Sequence, residues 1–302
     1  LYNNTKAPDT GIWLRDELVR MGPTYVKIGQ IISSRTDLFP EYITNQLVDL
    51  QNNVKHIPLE DLLPVIEDEM NCALEERFLY FSKEPIASAS IGQVHFAVLK
   101  NKKKVVVKVQ KPYIEEAIKE ELSVITSIVK ALSVFNNKQI DDVLMIIEES
   151  CKNINIETDF NIEQKNMQTF RTIMAKNENV IIPRVYSKMS SKRLLVMEYV
   201  PGKNINTNQL TGIDTAGFAK NMMKVFIQTL LQYGYLHADP HAGNFAIGKE
   251  GQMILYDFGI VAKYDLSLKT AFRNIVMGFL SKDVDSVLDQ LLSNEIVYVH
   301  SK

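Results

Sequence analysis

Asp239, Asn244 and Asp257 are of the types, and at the spacing, that phosphoryl transfer needs. They stand in His237-Ala238-Asp239-Pro240-His241-Ala242-Gly243-Asn244 and, thirteen residues after Asn244, in Asp257-Phe258-Gly259. The first stretch is an Asp-x-x-x-x-Asn loop. In that arrangement the Asp faces the attacking hydroxyl or water and the Asn side-chain oxygen ligates Mg²⁺. The later Asp binds the metal that bridges the nucleotide phosphates. Mg²⁺ asks for hard oxygen ligands and takes only one or two from protein carboxylates. Two acids and one amide supply that set. Asp-Phe-Gly alone is a weak signal; joined to Asp-x-x-x-x-Asn at hairpin spacing it is a strong one.

The elements that must position these groups are legible around them. Asn244-Phe245-Ala246-Ile247 and Met253-Ile254-Leu255-Tyr256 read as strands, with Gly248-Lys249-Glu250-Gly251 as the turn. This hairpin carries Asn244 and Asp257 to neighbouring points. Thr215 to Tyr233 reads as a helix leading into the loop. Leu268 to Leu280 and Val284 to Leu292 read as two closing helices.

A second cluster lies upstream. Small residues, Pro85-Ile86-Ala87-Ser88-Ala89-Ser90-Ile91-Gly92-Gln93, precede a strand at Val94–Val98. After a basic turn at Lys102-Lys103-Lys104, read as a solvated hairpin tip, its partner runs Val105-Val106-Val107-Lys108-Val109-Gln110. A small-residue loop over phosphates and a lysine reaching their oxygens is the layout of a nucleotide cradle. Alanine and serine stand here where glycine is usual, so the loop is a weaker signal than Lys108. A charged residue in a valine strand needs a partner, unless the strand is an edge that faces water. Candidate acids lie on the segment Gln139 to Phe170, read as one long helix after another from Pro112 to Phe135. Asp159 and Glu163, four apart, share a stripe of it, whereas Glu157 and Glu163, six apart, do not.

The first 80 or so residues read as all-helical, with helices over Ile12–Met21, from Pro23, from Pro40 and from Pro58. The second carries Lys27-Ile28-Gly29-Gln30, where a helical glycine suggests close helix–helix packing. Val180-Ile181-Ile182 and Leu194-Leu195-Val196-Met197 read as strands of one sheet. Glu198-Tyr199-Val200-Pro201-Gly202 then reads as a hinge whose backbone at Glu198 and Val200 could meet an adenine edge; a plain strand end before a Pro-Gly turn fits nearly as well. The fold class expected is α+β. Domains are expected at 1–80 (helical cap), 81–200 (small lobe with inserted helices) and 201–302 (large lobe).

The chain has 302 residues, 46% hydrophobic and 23% charged, with a net charge of −2. That is globular composition with room for two cores, and no basic field points to nucleic acid. Cys72 and Cys151 carry no metal spacing and imply no disulfide framework. No apolar run reaches the ~18 residues of a membrane span, and no secretory signal opens the chain. The chain begins on Leu1. That reads as a fragment, so a targeting segment or anchor could lie outside it.

Taken together the motifs resemble the UbiB (AarF-type) atypical protein-kinase-like family, from about Leu14 to about Leu280. The resemblance rests on Lys27-Ile28-Gly29-Gln30, on Ala87-Ser88-Ala89-Ser90-Ile91-Gly92-Gln93, on Glu157-x-Asp159 and on His237-Ala238-Asp239-Pro240-His241-x-Gly243-Asn244. It implies a bilobal kinase-like fold with an N-terminal helical extension on the core. Lys108 then looks like the phosphate-contacting lysine and Glu163 like its ion-pair partner. Asp239 looks like the catalytic aspartate, and Asn244 and Asp257 like the Mg²⁺ ligands. The resemblance further implies that Lys27 reaches toward Glu157 in a regulatory cap with Gln30 and Asp159. ATP and Mg²⁺ are the cofactors expected, with phosphorylation of proteins in trans suppressed. Expected partners are a prenyl-lipid or phenolic small molecule, a membrane surface of mitochondrion, plastid or bacterium, and a lipid-biosynthetic complex. Ala242 departs from the family's usual proline, and only about 45 residues follow Asp257, fewer than the family's C-terminal lobe normally has. Two other classes fit part of the pattern. Aminoglycoside- or choline-kinase-type phosphotransferases share the Asp-x-x-x-x-Asn loop but lack the Lys-x-Gly-Gln helix. A nucleotide-binding scaffold without turnover would keep binding and lose hydrolysis.

Overall fold

The structure, a computed structural model, describes residues 7–36, 38–51, 56–132, 138–205, 214–240, 242–294 and 296. The chain divides into two compact units. One comprises Leu1–Gln164 with Val185–Tyr199, the other Lys165–Arg184 with Val200–Lys302.

The first unit opens with α1 (Ala7–Met21), α2 (Pro23–Ser33), α3 (Glu41–Leu47) with a 3-10 turn at Val48–Gln51, α4 (Leu59–Met70) and α5 (Leu74–Arg77). Gly22, at φ 131°, turns the chain between α1 and α2 in backbone space that favours glycine. Pro23 follows at the first helical position, where it needs no N–H partner. The N–H of buried Thr24, in the first turn, donates to Glu121 Oε2 at 2.9 Å, so an acid of a later helix caps α2. Gly29 sits where a Cβ would lie 2.5 Å from Leu50 Cδ1 and 2.8 Å from Leu18 Cδ1. A side chain here would displace the Leu18 and Leu50 methyls that pack α2 against α1 and the turn after α3. Leu18, Val26, Leu47 and Leu50 close that small core.

The sheet of this unit runs β1 (Phe78–Phe81), β3 (Gly92–Leu99), β4 (Lys104–Gln110), β6 (Leu194–Glu198), with β2 (Ala87–Ser88) added to β3. All its pairings are antiparallel. Period-two alternation sends Val105, Val107 and Val109 to one face, into a core shared with Leu194, Val196 and the α4 residues Leu62 and Ile66. Val106, Lys108 and Gln110 take the other face. β1 is a strand inside the stretch read as all-helical. Four residues directly after the single turn of α5 are too few to display a period.

Three helices follow β4 and its turn: α6 (Ile114–Leu132), α7 (Lys138–Glu157) and α8 (Phe160–Ile173). The single helix expected from Gln139 to Phe170 is thus two. Thr158 Oγ1 bonds back to the Asn155 carbonyl at 2.8 Å, and the Asp159 carboxylate accepts from the Asn161 N–H at 2.9 Å. A short polar pair that bonds its own backbone ends one helix and caps the next. Asp159 and Glu163 therefore do not share a continuous stripe.

The second unit takes the C-terminal part of α8. Its sheet runs β5 (Val180–Ile181), β10 (Met253–Leu255), β9 (Phe245–Ile247), β7 (Lys203–Asn204). A two-stranded ribbon joins β8 (Tyr235–His237) to β11 (Val261–Lys263). The remaining helices are α9 (Thr215–Gln228), extended by a π-helical turn at Thr229–Tyr233, α10 (Leu266–Ser281) and α11 (Val284–Ser293). Val180–Ile181 does not join the sheet of Leu194–Met197, as the sequence suggested. β5 pairs in parallel with β10, while β6 pairs with β4. Apolar patterning identifies a strand but not its partner. Among the described residues, no helix is long and apolar enough to cross a membrane.

A buried polar chain ties the first sheet to the segment before α4. His95 Nδ1 lies 2.9 Å from the Ser82 carbonyl, and its Nε2 lies 3.3 Å from Gln93 Nε2. The Gln93 amide also exchanges two hydrogen bonds with the Ile57 backbone, at 2.5 and 3.2 Å. Nδ1 faces a carbonyl and so carries the proton, which leaves Nε2 to accept from Gln93. Burial holds the imidazole below its ordinary pKa. The unfolded chain takes up this proton near pH 6.5 and the folded chain only at lower pH. The stabilisation is therefore present above about pH 6.5 and is lost as pH falls. For Glu69, burial acts upward, but hydrogen bonds from Ser191 and Arg193 more than offset it and hold the carboxyl low. Its contribution therefore changes only below about pH 4.5. Urea midpoints measured between pH 7.5 and 5 should fall, and His95→Gln should flatten that slope.

Candidate functional site

Each unit presents one constellation of the residues singled out above. In the first unit, Lys108 lies on an interior strand, opposite Val94 of β3 and Leu195 of β6. It is no edge residue facing water. Its Nζ is 2.7 Å from Glu163 Oε2, and the two side chains are 16% and 3% exposed. The ammonium also stands 5.1 Å from the centroid of the Phe160 ring. A carboxylate buried this deeply stays charged only beside a cation. β4 fixes the lysine, the first turn of α8 fixes the glutamate, and Phe160 is the residue on which that helix begins.

The small-residue loop is built on the same sheet. Ala87 and Ser88 pair with Val94 and Gln93, and the Ala89 N–H donates to the Gly92 carbonyl at 2.8 Å, closing a tight turn. Ser90 and Ile91 are buried, Ile91 among the isoleucines Ile114, Ile118 and Ile28. A Cβ on Gly92 would lie 2.6 Å from the Val109 carbonyl oxygen, a backbone atom that cannot move aside. Glu198 ends β6 opposite Val105 and is exposed. The two units divide between Tyr199 and Val200. The Val200 carbonyl accepts from the Tyr256 hydroxyl at 2.8 Å.

A second ion pair lies on the helical part of this unit. Lys27 Nζ of α2 is 2.7 Å from Glu157 Oε1, the last residue of α7, with the side chains 13% and 17% exposed. Gln30 is not brought to these acids; its Nε2 donates to the Leu50 carbonyl at 2.8 Å. Asp159 caps α8 as described. Of the four residues assigned to a regulatory cap, Lys27 and Glu157 meet, while Gln30 ties α2 to the turn after α3 and Asp159 caps α8.

In the second unit, Asn244 Nδ2 donates to the Asp239 carbonyl at 3.0 Å, which closes the loop between them. That bond fixes the amide and leaves Oδ1 as the acceptor end. The Tyr256 N–H donates to the Asn244 carbonyl at 3.0 Å, continuing the β9–β10 hairpin, so Asp257 directly follows the residue paired with Asn244. Asp257 Oδ1 accepts from the Gly259 N–H at 2.8 Å. His241 lies outside the described residues. Among the described residues, no three His, Cys, Asp or Glu side chains gather as a metal cluster. One carboxylate and one amide oxygen suit a hard cation that completes its shell with phosphate oxygens and water.

Two positioning residues escaped the sequence reading. His237 is buried between the two acidic segments. The Asp239 N–H donates to its Nδ1 at 3.3 Å, so Nε2 carries the hydrogen and donates to the Asp257 carbonyl at 2.7 Å. Phe245 and Phe258, with ring centroids at 5.8 and 5.4 Å, hold the imidazole in place. Asn166 of α8 donates to the Phe258 carbonyl at 2.9 Å. A histidine two residues before the aspartate was the available signal for the first. Nothing local in the sequence marks Asn166.

Comparison with known proteins identifies the family. A sequence model of the ABC1 atypical kinase-like domain matches residues 49–291. The Arabidopsis thaliana chloroplastic protein ACTIVITY OF BC1 COMPLEX KINASE 8 is 33% identical over 93% of the chain and 38% of its own length. Synechocystis protein sll1770 is 32% identical over 93% of the chain and 49% of its length. A Clostridium pasteurianum protein from the hydrogenase 1 5′ region is 33% identical over 97% of the chain and 55% of its length. The chain therefore spans between 38% and 55% of these relatives. Among solved structures, the Mycobacterium tuberculosis Rv3197–erythromycin complex superposes with a TM-score of 0.61 at 23% identity. That superposition covers 87% of this chain and 67% of that one, a likeness of fold.

The Lys108–Glu163 geometry makes a stability prediction. Lys108→Ala leaves Glu163 buried without its cation and should cost about 3–5 kcal/mol, whereas Lys108→Met with Glu163→Leu should recover most of the loss. Urea unfolding of the two variants against the parent chain checks this. A double replacement as damaging as the single one would contradict it.

Proposed function

The chain belongs to the ABC1 atypical kinase-like family, that is, the UbiB/AarF type, and from that premise we propose that it binds MgATP and uses it in phosphoryl transfer or hydrolysis. The observation that carries the reading is the Lys108–Glu163 pair, 2.7 Å apart and shielded from water. Lys108 would contact nucleotide phosphates, held there by Glu163. The turn from Ala87 to Gly92 would lie along the phosphates, and the backbone at Glu198 and Val200 would meet the adenine edge. Asn244 Oδ1 and the Asp257 carboxylate would hold Mg²⁺, which neutralises phosphate charge when bound. Asp239 would orient the attacking hydroxyl or water. Phosphoryl transfer asks mainly for positioning and electrostatics, and His237 supports both acids by bonding the backbone at Asp239 and at Asp257.

The proposed acceptor is water or a small phenolic or prenyl-lipid molecule, with phosphorylation of proteins in trans suppressed by the N-terminal helices. The support is the Lys27–Glu157 pair, which fastens α2 to the end of α7 and has no counterpart in the aminoglycoside- or choline-kinase-type reading. Service to ubiquinone or other prenyl-lipid metabolism at a plastid, mitochondrial or bacterial membrane, within a biosynthetic complex, is part of the same proposal. The chloroplastic names of the Arabidopsis relatives support such a setting.

The test is ligand-dependent stability. MgATP should raise Tm with a concentration dependence set by its Kd, and Asp257→Asn should abolish the metal-dependent part. ATP turnover with and without liposomes and phenols then separates an enzyme from a binding scaffold. Equal stabilisation by ATP in EDTA would contradict the metal assignment.

A further inference from the structure

We infer that Gln110 is a positioning residue that sets both lysine–glutamate pairs by clamping the junction between α7 and α8. The inference deepens the reading just given. Gln110 lies two residues after Lys108 on β4, so both side chains project to the same face of the sheet. It is 1% exposed. Its Nε2 donates to the Thr158 carbonyl at 2.6 Å and to the Lys192 carbonyl at 3.3 Å. Thr158 stands in the break between the helices, directly after Glu157 and five residues before Glu163. The Phe160 N–H, first in α8, donates to the same Lys192 carbonyl at 2.9 Å. One amide thus joins the lysine-bearing strand, the turn before β6 and the helix junction.

The chemistry shows that the amide serves as a donor. Two carbonyl oxygens face one end of the side chain, so only an NH₂ group fits there and the flipped amide is excluded. Its other end, Oε1, is buried with no partner among the described residues. An orphaned buried oxygen costs free energy that an apolar side chain of the same shape would avoid. Mere space-filling therefore disfavours glutamine here; holding the Thr158 carbonyl requires it. The consequence lies on either side of the clamp. Glu157 meets Lys27 and Glu163 meets Lys108, each at 2.7 Å. A junction free to rotate would carry the two carboxylates away from their lysines together.

The test uses Gln110→Met, which keeps volume and loses both donors, and Gln110→Asn, which keeps the amide but cannot reach. Lys27 and Lys108 are labelled with a small amine-reactive ester, read by peptide mass spectrometry, with folding of each variant confirmed by urea titration. Labelling of both lysines should rise roughly fivefold in either variant, the factor that one lost hydrogen bond supplies, while lysines at the hairpin tip stay unchanged. Combining Gln110→Asn with Glu157→Gln should add nothing further at Lys27. Folded variants in which both lysines stay as protected as in the parent chain would overturn the inference. So would a rise at every lysine alike. If Gln110→Met does not fold, Gln110→Asn alone decides. The labelling needs no nucleotide, so absence of MgATP binding by the parent chain would remove the functional reading and leave this result standing.

Discussion

A single ammonium group placed in the middle of a valine strand constrains much of the first unit. Lys108 cannot face its neighbours uncompensated, because an unpaired charge in that environment is costly. β4 presents it between two strands, so water along an open edge is no remedy. Glu163 answers it from α8 at 3% exposure. Keeping that carboxylate in place requires α8 to begin where it does, at Phe160, and the chain accordingly breaks after Glu157. A buried pair of this kind is weak evidence for stability. Its value here is the fixed position of an amine, which is what binding of phosphate oxygens asks for.

The second unit solves a related problem with neutral groups. Asp239 and Asp257 stand on two segments that must be held to each other. Backbone bonds carry the arrangement: Asn244 to the Asp239 carbonyl, Tyr256 to the Asn244 carbonyl, and His237 to both segments. The Asn244 amide is thereby fixed with Oδ1 as its acceptor end. Aromatic packing around His237 keeps the imidazole from turning. Asn166, on the part of α8 that belongs to this unit, bonds the Phe258 carbonyl one residue beyond Asp257.

Much of this was legible in the chain, for definable reasons. Lys108 was visible because a charge among four valines violates the pattern of a buried strand. The hairpin of Asn244 and Asp257 was visible because two apolar strands flank a Gly-containing turn. The helix break at Thr158–Asp159 was not. Hydrophobic periodicity continues across it, and the break depends on hydrogen bonds made by short side chains to their own backbone. The assignment of Val180–Ile181 to the wrong sheet has a similar origin, since pairing is a long-range choice that local apolarity does not encode. Gln30 was grouped with Lys27 by the family resemblance. Its Nε2 bonds the Leu50 carbonyl, a partner twenty residues along the chain that the motif does not encode. His237, Asn166 and Gln110 are buried polar residues whose partners lie far along the chain or on its backbone, where sequence spacing is silent.

The most direct measurement of the central claim is affinity labelling with an acyl-phosphate derivative of ATP, which transfers its acyl group to a lysine lying against the phosphates. The account predicts that Lys108 is the principal site, that excess MgATP suppresses its labelling, and that Glu163→Gln weakens it. Labelling spread over surface lysines, or confined to another lysine and indifferent to MgATP, would contradict the claim that this pair exists to hold an amine for a nucleotide.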